Sequence, residues 1–479
     1  MKSESKYYVL FSFAIIIILL FVNKGGKVGL AAGGLIIFIY YILYKKDVAL
    51  AFALCAVINA NPAMMISGYS FGFPKQMPFL DVFFLLSFLV IFSPQIKERR
   101  VDFKLKNFLP IIFLFLLYQF FVSFLYRAAP DSPKDILRIM YRQWGMYLGV
   151  FLVIPSYVIF RHDDKKFLKG ICIASIIFTL GILINLYTPI ELFKIRTQYR
   201  NGAVRIFLFQ STLFYFTTLL AVAAFTFYKA KKKHTHIYLS GVLAMFLPVI
   251  SMYRLEILTM VLTSLLTVFF VSKYLNRNLI GFVRLFKIFV GLFLVVIILA
   301  PEIYNAMADL YVKTFQELLG TGQVEKGTTQ ARTEHELPLH MSMIRQNPIL
   351  GNGWDHRWWG NNTTSQDWGL TDLPLTSTLA MYGWLGLLIY YLRYFYFLPF
   401  SRQVLQAIGK QKEKIEKYGF YYIIVISLRA YFIGMITFRV FFIGYELTFT
   451  KIYADFGALL GIYFASIYMI ESQDNKQLT

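Results

Sequence analysis

Apolar runs long enough to cross a membrane recur along almost the whole chain, and this repetition restricts the fold more than any other feature. A bilayer core about 30 Å thick takes about 20 apolar residues in helical form. Runs that meet this measure lie near 7–22, 28–44, 78–93, 108–126, 143–160, 168–188, 206–228, 237–253, 255–272, 288–304, 373–392, 418–438 and 450–470. A shorter run at 47–59 brings the total to about fourteen. In lipid the backbone must satisfy its own hydrogen bonds, which selects helices over open sheet for runs of this length. The expected fold class is all-α, a polytopic integral membrane protein with about 14 transmembrane helices. Composition excludes the main alternatives. Of 479 residues, 58% are hydrophobic and only 15% are charged. That is too little charge for a soluble surface and too much apolar content for a disordered chain.

The first run follows Lys2 and Lys6, is not followed by a small-residue cleavage site, and gives way at once to another apolar run. It reads as a retained signal anchor, with the N-terminus in the cytoplasm and an even number of spans returning the C-terminus there. A net charge of +22 would suggest nucleic acid in a soluble protein. Here it has a simpler origin, because short cytoplasmic loops collect Lys and Arg, and no nucleic-acid partner is expected. The expected inner segments hold Lys97, Arg99 and Arg100; Lys165, Lys166 and Lys169; Lys229, Lys231, Lys232 and Lys233; and Lys410, Lys412, Lys414 and Lys417. About 28 basic residues fall inside and about 19 outside, so the outer face is itself basic.

One connection is far longer than the rest. Between Pro301 and Asp372 about 70 residues carry no spanning run, and loops beyond about 15 residues are usually functional or disordered. This one holds Trp354, Trp358, Trp359 and Trp368 of the chain's six tryptophans, and disordered segments are poor in aromatics. A folded outer loop is expected. The chain divides into N-terminal transmembrane helices at 1–301, the large loop at 302–371 and C-terminal transmembrane helices at 372–479. It shows no duplicated halves of the kind common in transporters.

Several motifs fail on inspection. His335-Glu336-Leu337-Pro338-Leu339-His340 has the wrong histidine spacing for a helical zinc site and a proline inside it. Gly351-Asn352-Gly353 lacks the third glycine of a dinucleotide loop and reads as a turn. Cys55 and Cys172 lie in apolar runs with no CxxC, so no metal site is expected.

The outer basic residues carry more information. Lys194, Arg196, Arg200 and Arg205 share one short loop with Glu191. They read either as a solvated loop near anionic headgroups or as a phosphate clamp, since guanidinium grips phosphate oxygens bidentately. Arg254, in Ser251-Met252-Tyr253-Arg254, reads as a helix-end anchor or as part of such a clamp. Arg429 lies mid-run in 422–438, where a charge costs at least about 2.5–3.5 kcal/mol. Arg439 and Glu446 follow it, leaving open a structural ion pair or a polar cavity.

The segment from Arg332 to Leu387 gathers these pieces. It contains Arg332, then Asn347-Pro348-Ile349-Leu350-Gly351-Asn352-Gly353, then Asp372-Leu373-Pro374-Leu375 and Tyr382-Gly383-Trp384-Leu385-Gly386-Leu387. It resembles the family of O-antigen ligases and Wzy-type O-antigen or exopolysaccharide polymerases. That family has many spans in a GT-C-like arrangement, one large periplasmic loop near the C-terminus, an Arg opening a helix, a P-x-x-G-x-G turn and a helix ending in a G-x-x-G-L pattern. The Ser251–Arg254 turn is similar to the family's Ser-Arg turn.

The resemblance implies sugar transfer at the periplasmic face of a bacterial inner membrane, from a glycan linked to undecaprenyl pyrophosphate, with no metal or cofactor. Membrane lipids, a flippase and a chain-length regulator would be its partners. Pyrophosphate would leave as a hydroxyl attacks the anomeric carbon, and cations must meet the developing charge. Arg196, Arg200, Arg254, Arg332, Arg429 and Arg439 are the candidate pyrophosphate ligands. The family's ligases commonly place a His at the position that Asp372 occupies here. Asp372 is therefore the candidate base, with His356 a second. This departure favours a polymerase over a ligase that transfers polysaccharide to lipid A-core. A lipid-linked sugar flippase is the alternative from another class.

Overall fold

The computed structural model describes residues 2–21, 26–59, 79–125, 148–188, 197–200, 203–206, 212–228, 235–250, 254–275, 337–352, 374–409, 412–439 and 452–475, together with scattered positions between 283 and 316. Its helices in chain order are α1 (Lys2–Phe21), α2 (Gly26–Lys46), α3 (Val48–Asn59), α4 (Phe79–Leu89), α5 (Phe103–Leu125), α6 (Val153–Tyr187), α7 (Thr212–Tyr228), α8 (Thr235–Ile250), α9 (Arg254–Leu275), α10 (Leu337–Gln346), α11 (Pro374–Gly409), α12 (Lys412–Gly434) and α13 (Ile452–Asn475). A 3-10 turn at Leu148–Leu152 leads into α6, and a π-helical turn at Met435–Arg439 extends α12. Among the described residues five helices are long and apolar enough to cross a membrane. The chain is a helical protein of membrane-embedded character.

The helices sort their residues between core and periphery. Along the second half of α11, Trp384, Leu388, Leu392 and Phe395 are exposed, a stripe at helical spacing that suits lipid contact. The opposite stripe carries Tyr390, Tyr394 and Phe397 into the core. There Phe397 meets Phe432 of α12 at 4.8 Å and Tyr463 of α13 at 5.6 Å between ring centroids. Backbones approach most closely where small residues permit it. Gly457 of α13 faces the 3-10 turn at Gly149 and Val150, and Gly461 faces the start of α6, where a Cβ on it would lie 2.4 Å from Ser156 Cβ. Ser156 donates to Ala458 O at 2.6 Å across the same contact, a small-residue interface of the membrane type.

Two local features refine the sequence reading. Asp163 interrupts α6 with φ −151° and ψ 79°, and its Oδ1 accepts the N–H of Lys166 at 3.2 Å. A short polar side chain serves the exposed N–H groups of a new helix, so the interruption falls where the sequence placed the loop between two runs. The short third run is α3, twelve residues long and buried throughout. At 1.5 Å per residue it extends about 18 Å, far less than a bilayer core. Asp47 caps it, with Oδ1 accepting the Leu50 N–H at 3.3 Å.

One exception to helix stands out. Thr197–Arg200 and Ala203–Ile206 form an antiparallel pair, β1 and β2, in which Thr197 faces Ile206 and Arg200 faces Ala203. The residues between them are Asn201-Gly202, the dipeptide best suited to a two-residue hairpin turn.

Ion pairs gather at one end of the bundle. Lys166 stands 3.5 Å from Asp47, 3.2 Å from Asp163 and 3.5 Å from Glu4. Arg161 pairs with Glu98 at 3.2 Å and lies over the Tyr468 ring, and Lys104 pairs with Glu471. Asp47 is buried beneath Lys166, and burial raises its carboxyl above the usual range.

Candidate functional site

At the other end of α11, two segments that the sequence singled out lock together. α10 ends at Gln346, and a turn over 347–350 reverses the chain, closed by Gly351 N–H donating to Asn347 O at 2.9 Å. Gly351 adopts φ +76°. α11 is itself interrupted at Gly383, with φ 62° and ψ −174°, a conformation open in practice only to glycine. The turn fills that break. Trp384 N–H donates to Pro348 O at 2.9 Å and Leu385 N–H to Ile349 O at 3.0 Å. The N–H groups that would be left open where the second half of α11 begins thus find carbonyl partners in the turn.

The remaining polar groups of the lock are also served. Asn352 donates from its backbone to Ala380 O at 2.9 Å and from Nδ2 to Met343 O at 2.7 Å, while its Oδ1 accepts from Asn347 Nδ2 at 2.8 Å. Tyr118 of α5 reaches in with a hydroxyl 3.0 Å from Leu350 O and 2.7 Å from Tyr382 O. Gly386 leaves room for its ring, since a Cβ there would sit 2.6 Å from Tyr118 Cε1. The P-x-x-G-x-G and Y-G-x-x-G-L patterns are therefore two halves of one structure.

Beside the lock, α10 lies along the first segment of α11. His340 is fully buried, with Nδ1 2.8 Å from Thr376 Oγ1 and Nε2 without a hydrogen-bond partner. Burial pulls its imidazole down to about 4, so it is neutral at neutral pH. The sequence reading dismissed this histidine with the failed zinc motif. The signal that could have found it is its place one turn before Met343, on the apolar face that α10 turns inward.

Arg429 donates through Nη1 to Leu398 O at 2.7 Å and to Ser401 Oγ at 2.6 Å, with its guanidinium 5.4 Å from the Phe270 ring centroid. These acceptors flank Pro399, where α11 lacks an N–H. The Tyr463 hydroxyl supports the same turn, donating to Phe397 O at 2.9 Å and accepting from Ser401 N–H at 3.2 Å. A second interior cation, which the sequence reading missed, is Arg393. It is 3% exposed and lies 4.0 Å from the Tyr390 ring and 4.5 Å from that of Phe456. Such rings hold a guanidinium by their negative faces.

Arg200 closes β1, Arg254 opens α9 and Arg439 closes the π-helical turn, each placed by its backbone. Arg196, Arg332, His356 and Asp372 lie outside the described residues. Among the described residues no group of three His, Cys, Asp or Glu gathers as metal ligands.

Fold and site together define a helical membrane-embedded protein with a hydrogen-bonded break near one end of a long helix. The chain matches no model of a known protein family and no curated protein.

Proposed function

We propose that this chain is a membrane glycosyltransferase that polymerises undecaprenyl-pyrophosphate-linked oligosaccharide repeat units into O-antigen or exopolysaccharide. The observation that carries this reading is the lock between Gly351 and Gly383. Two patterns that the resemblance treats as separate signatures close on one another through hydrogen bonds. Both glycines also hold positive-φ conformations, and such backbone conformations are held only where the surroundings over-determine them. The lock anchors both ends of the chain segment that carries His356 and Asp372, with Asp372 two residues before Pro374 in the sequence.

In this reading the outer arginines, Arg196, Arg200, Arg254 and Arg332 first, meet the charge that develops on the departing pyrophosphate. Arg439 is the more remote member of that set, while the Arg429 guanidinium is engaged with Leu398 O and Ser401 Oγ and supports the fold around Pro399. Asp372 or His356 takes the proton from the acceptor hydroxyl. The reaction runs at the periplasmic face of a bacterial inner membrane, and no metal or cofactor takes part.

Gene deletion with gel analysis of surface polysaccharide tests this assignment. Loss of the polymerase leaves single repeat units on the acceptor. Loss of a ligase would instead leave full-length polymer on undecaprenyl pyrophosphate, and loss of a flippase would leave repeats on the cytoplasmic side.

A further inference from the structure

The first segment of α11, from Pro374 to Tyr382, is tied to α10 at two levels. At its far end, Asn352 links Ala380 to Met343, with its backbone N–H and both of its side-chain groups paired. At its near end, His340 meets Thr376 through Nδ1 alone, and Nε2 is buried without a partner. The two ties differ in kind. A buried hydrogen-bonding atom left unmade carries its full desolvation penalty, which an apolar side chain of similar size would avoid. The fold therefore holds an arrangement at His340 that stability alone would replace.

A neutral imidazole offers one donor and one acceptor. When Thr376 donates to Nδ1, Nε2 carries the hydrogen; when Nδ1 donates, Nε2 keeps a lone pair. Either way one ring nitrogen stays uncommitted at the first turn of α11. Residues that break a local rule without benefit to stability concentrate at functional sites.

We propose that His340 is a positioning residue of the transfer site, holding the first turn of α11 through Thr376 in the orientation that the reaction needs. This inference rests on the polymerase reading. It assigns no bond-making role to the imidazole; His340 acts through the turn that it holds.

The test uses the full-length protein in lipid vesicles with undecaprenyl-pyrophosphate-linked repeat units. Chain elongation gives kcat and KM, and thermal unfolding in detergent gives Tm. His340→Leu is expected to keep or raise Tm while kcat falls about tenfold to a hundredfold, the scale of a small misplacement, with KM little changed. Thr376→Val should produce the same fall, and the double variant should be no worse than either single one. Thr376→Ser keeps the hydroxyl and should keep kcat. His340→Asn returns an amide near the Nδ1 position and should recover most of kcat.

Full kcat in His340→Leu would overturn the role of His340, as would a folded His340→Asn protein no better than His340→Leu. A wild-type protein that does not lengthen repeats overturns the polymerase reading and the role of His340 with it. Elongation by wild type and His340→Leu alike overturns only the latter.

Discussion

Gly351 and Gly383 meet so closely that neither position has room for a side chain. A Cβ on Gly351 would lie 2.4 Å from Met381 O, and one on Gly383 would lie 2.2 Å from Ile349 O. Both residues have positive φ. Close approach and backbone conformation thus exclude other residues for separate reasons.

Gly383→Ala and Gly351→Ala are each expected to cost about 3 kcal/mol or more, from left-handed strain added to overpacking. The two act on one contact, so their effects should fall well short of additive. Thermal unfolding of both single variants and the double measures this coupling. Strict additivity would mean that the lock is not a unit.

The ion-paired end of the bundle gives a second test. Lys166→Met removes the cation over Asp47 and is expected to cost about 1–3 kcal/mol, because a buried acceptor loses its partner. Asp47→Asn keeps a side-chain oxygen for the Leu50 N–H while removing the charge. Added to Lys166→Met, it should recover part of the lost stability. Unfolding midpoints of the two singles and the double decide the point.

Arg429 and Tyr463 support the same turn around Pro399. Arg429→Met is expected to lower stability by about 1.5–3 kcal/mol, the range for a charge-assisted hydrogen bond. The KM for lipid-linked donor should change little, since the guanidinium is engaged with Leu398 and Ser401. A large rise in KM at unchanged Tm would instead place Arg429 on the substrate.

Acid should act through His340. Its folded pKa of about 4 lies below the ordinary 6.5, so between these values the unfolded chain binds the proton that the folded chain refuses. Stability should therefore be flat above pH 6.5 on this account and fall as pH drops from 6.5 toward 4. His340→Leu should flatten that part of the profile, as Tm measured across the range would reveal.

The sequence and the structure agree most where physics acts over many residues. Run length exposed the helices, because about 20 apolar residues in lipid have few other options. The polar interval around Asp163 marked a real break in α6. Contacts between distant segments were less legible. Gly351 read as a turn and Gly383 as part of a helical pattern, and nothing local indicated that one would fill a gap opened by the other. The Asn201-Gly202 signal for β1 and β2 was present but was read as a basic loop. His340 was judged only as a metal ligand, and its value lies in a neighbour that follows far along the chain. Of the candidate site, the lock's two halves were visible as motifs. Their union was not.

The most direct test of the central claim is elongation by the purified protein. Reconstituted in vesicles with undecaprenyl-pyrophosphate-linked repeats on the face carrying the large loop, it should produce a ladder of longer glycans without added metal. Arg254→Ala and Arg332→Ala should abolish the ladder while the protein remains in the membrane. Single repeats left unchanged by folded wild-type protein would contradict the polymerase reading.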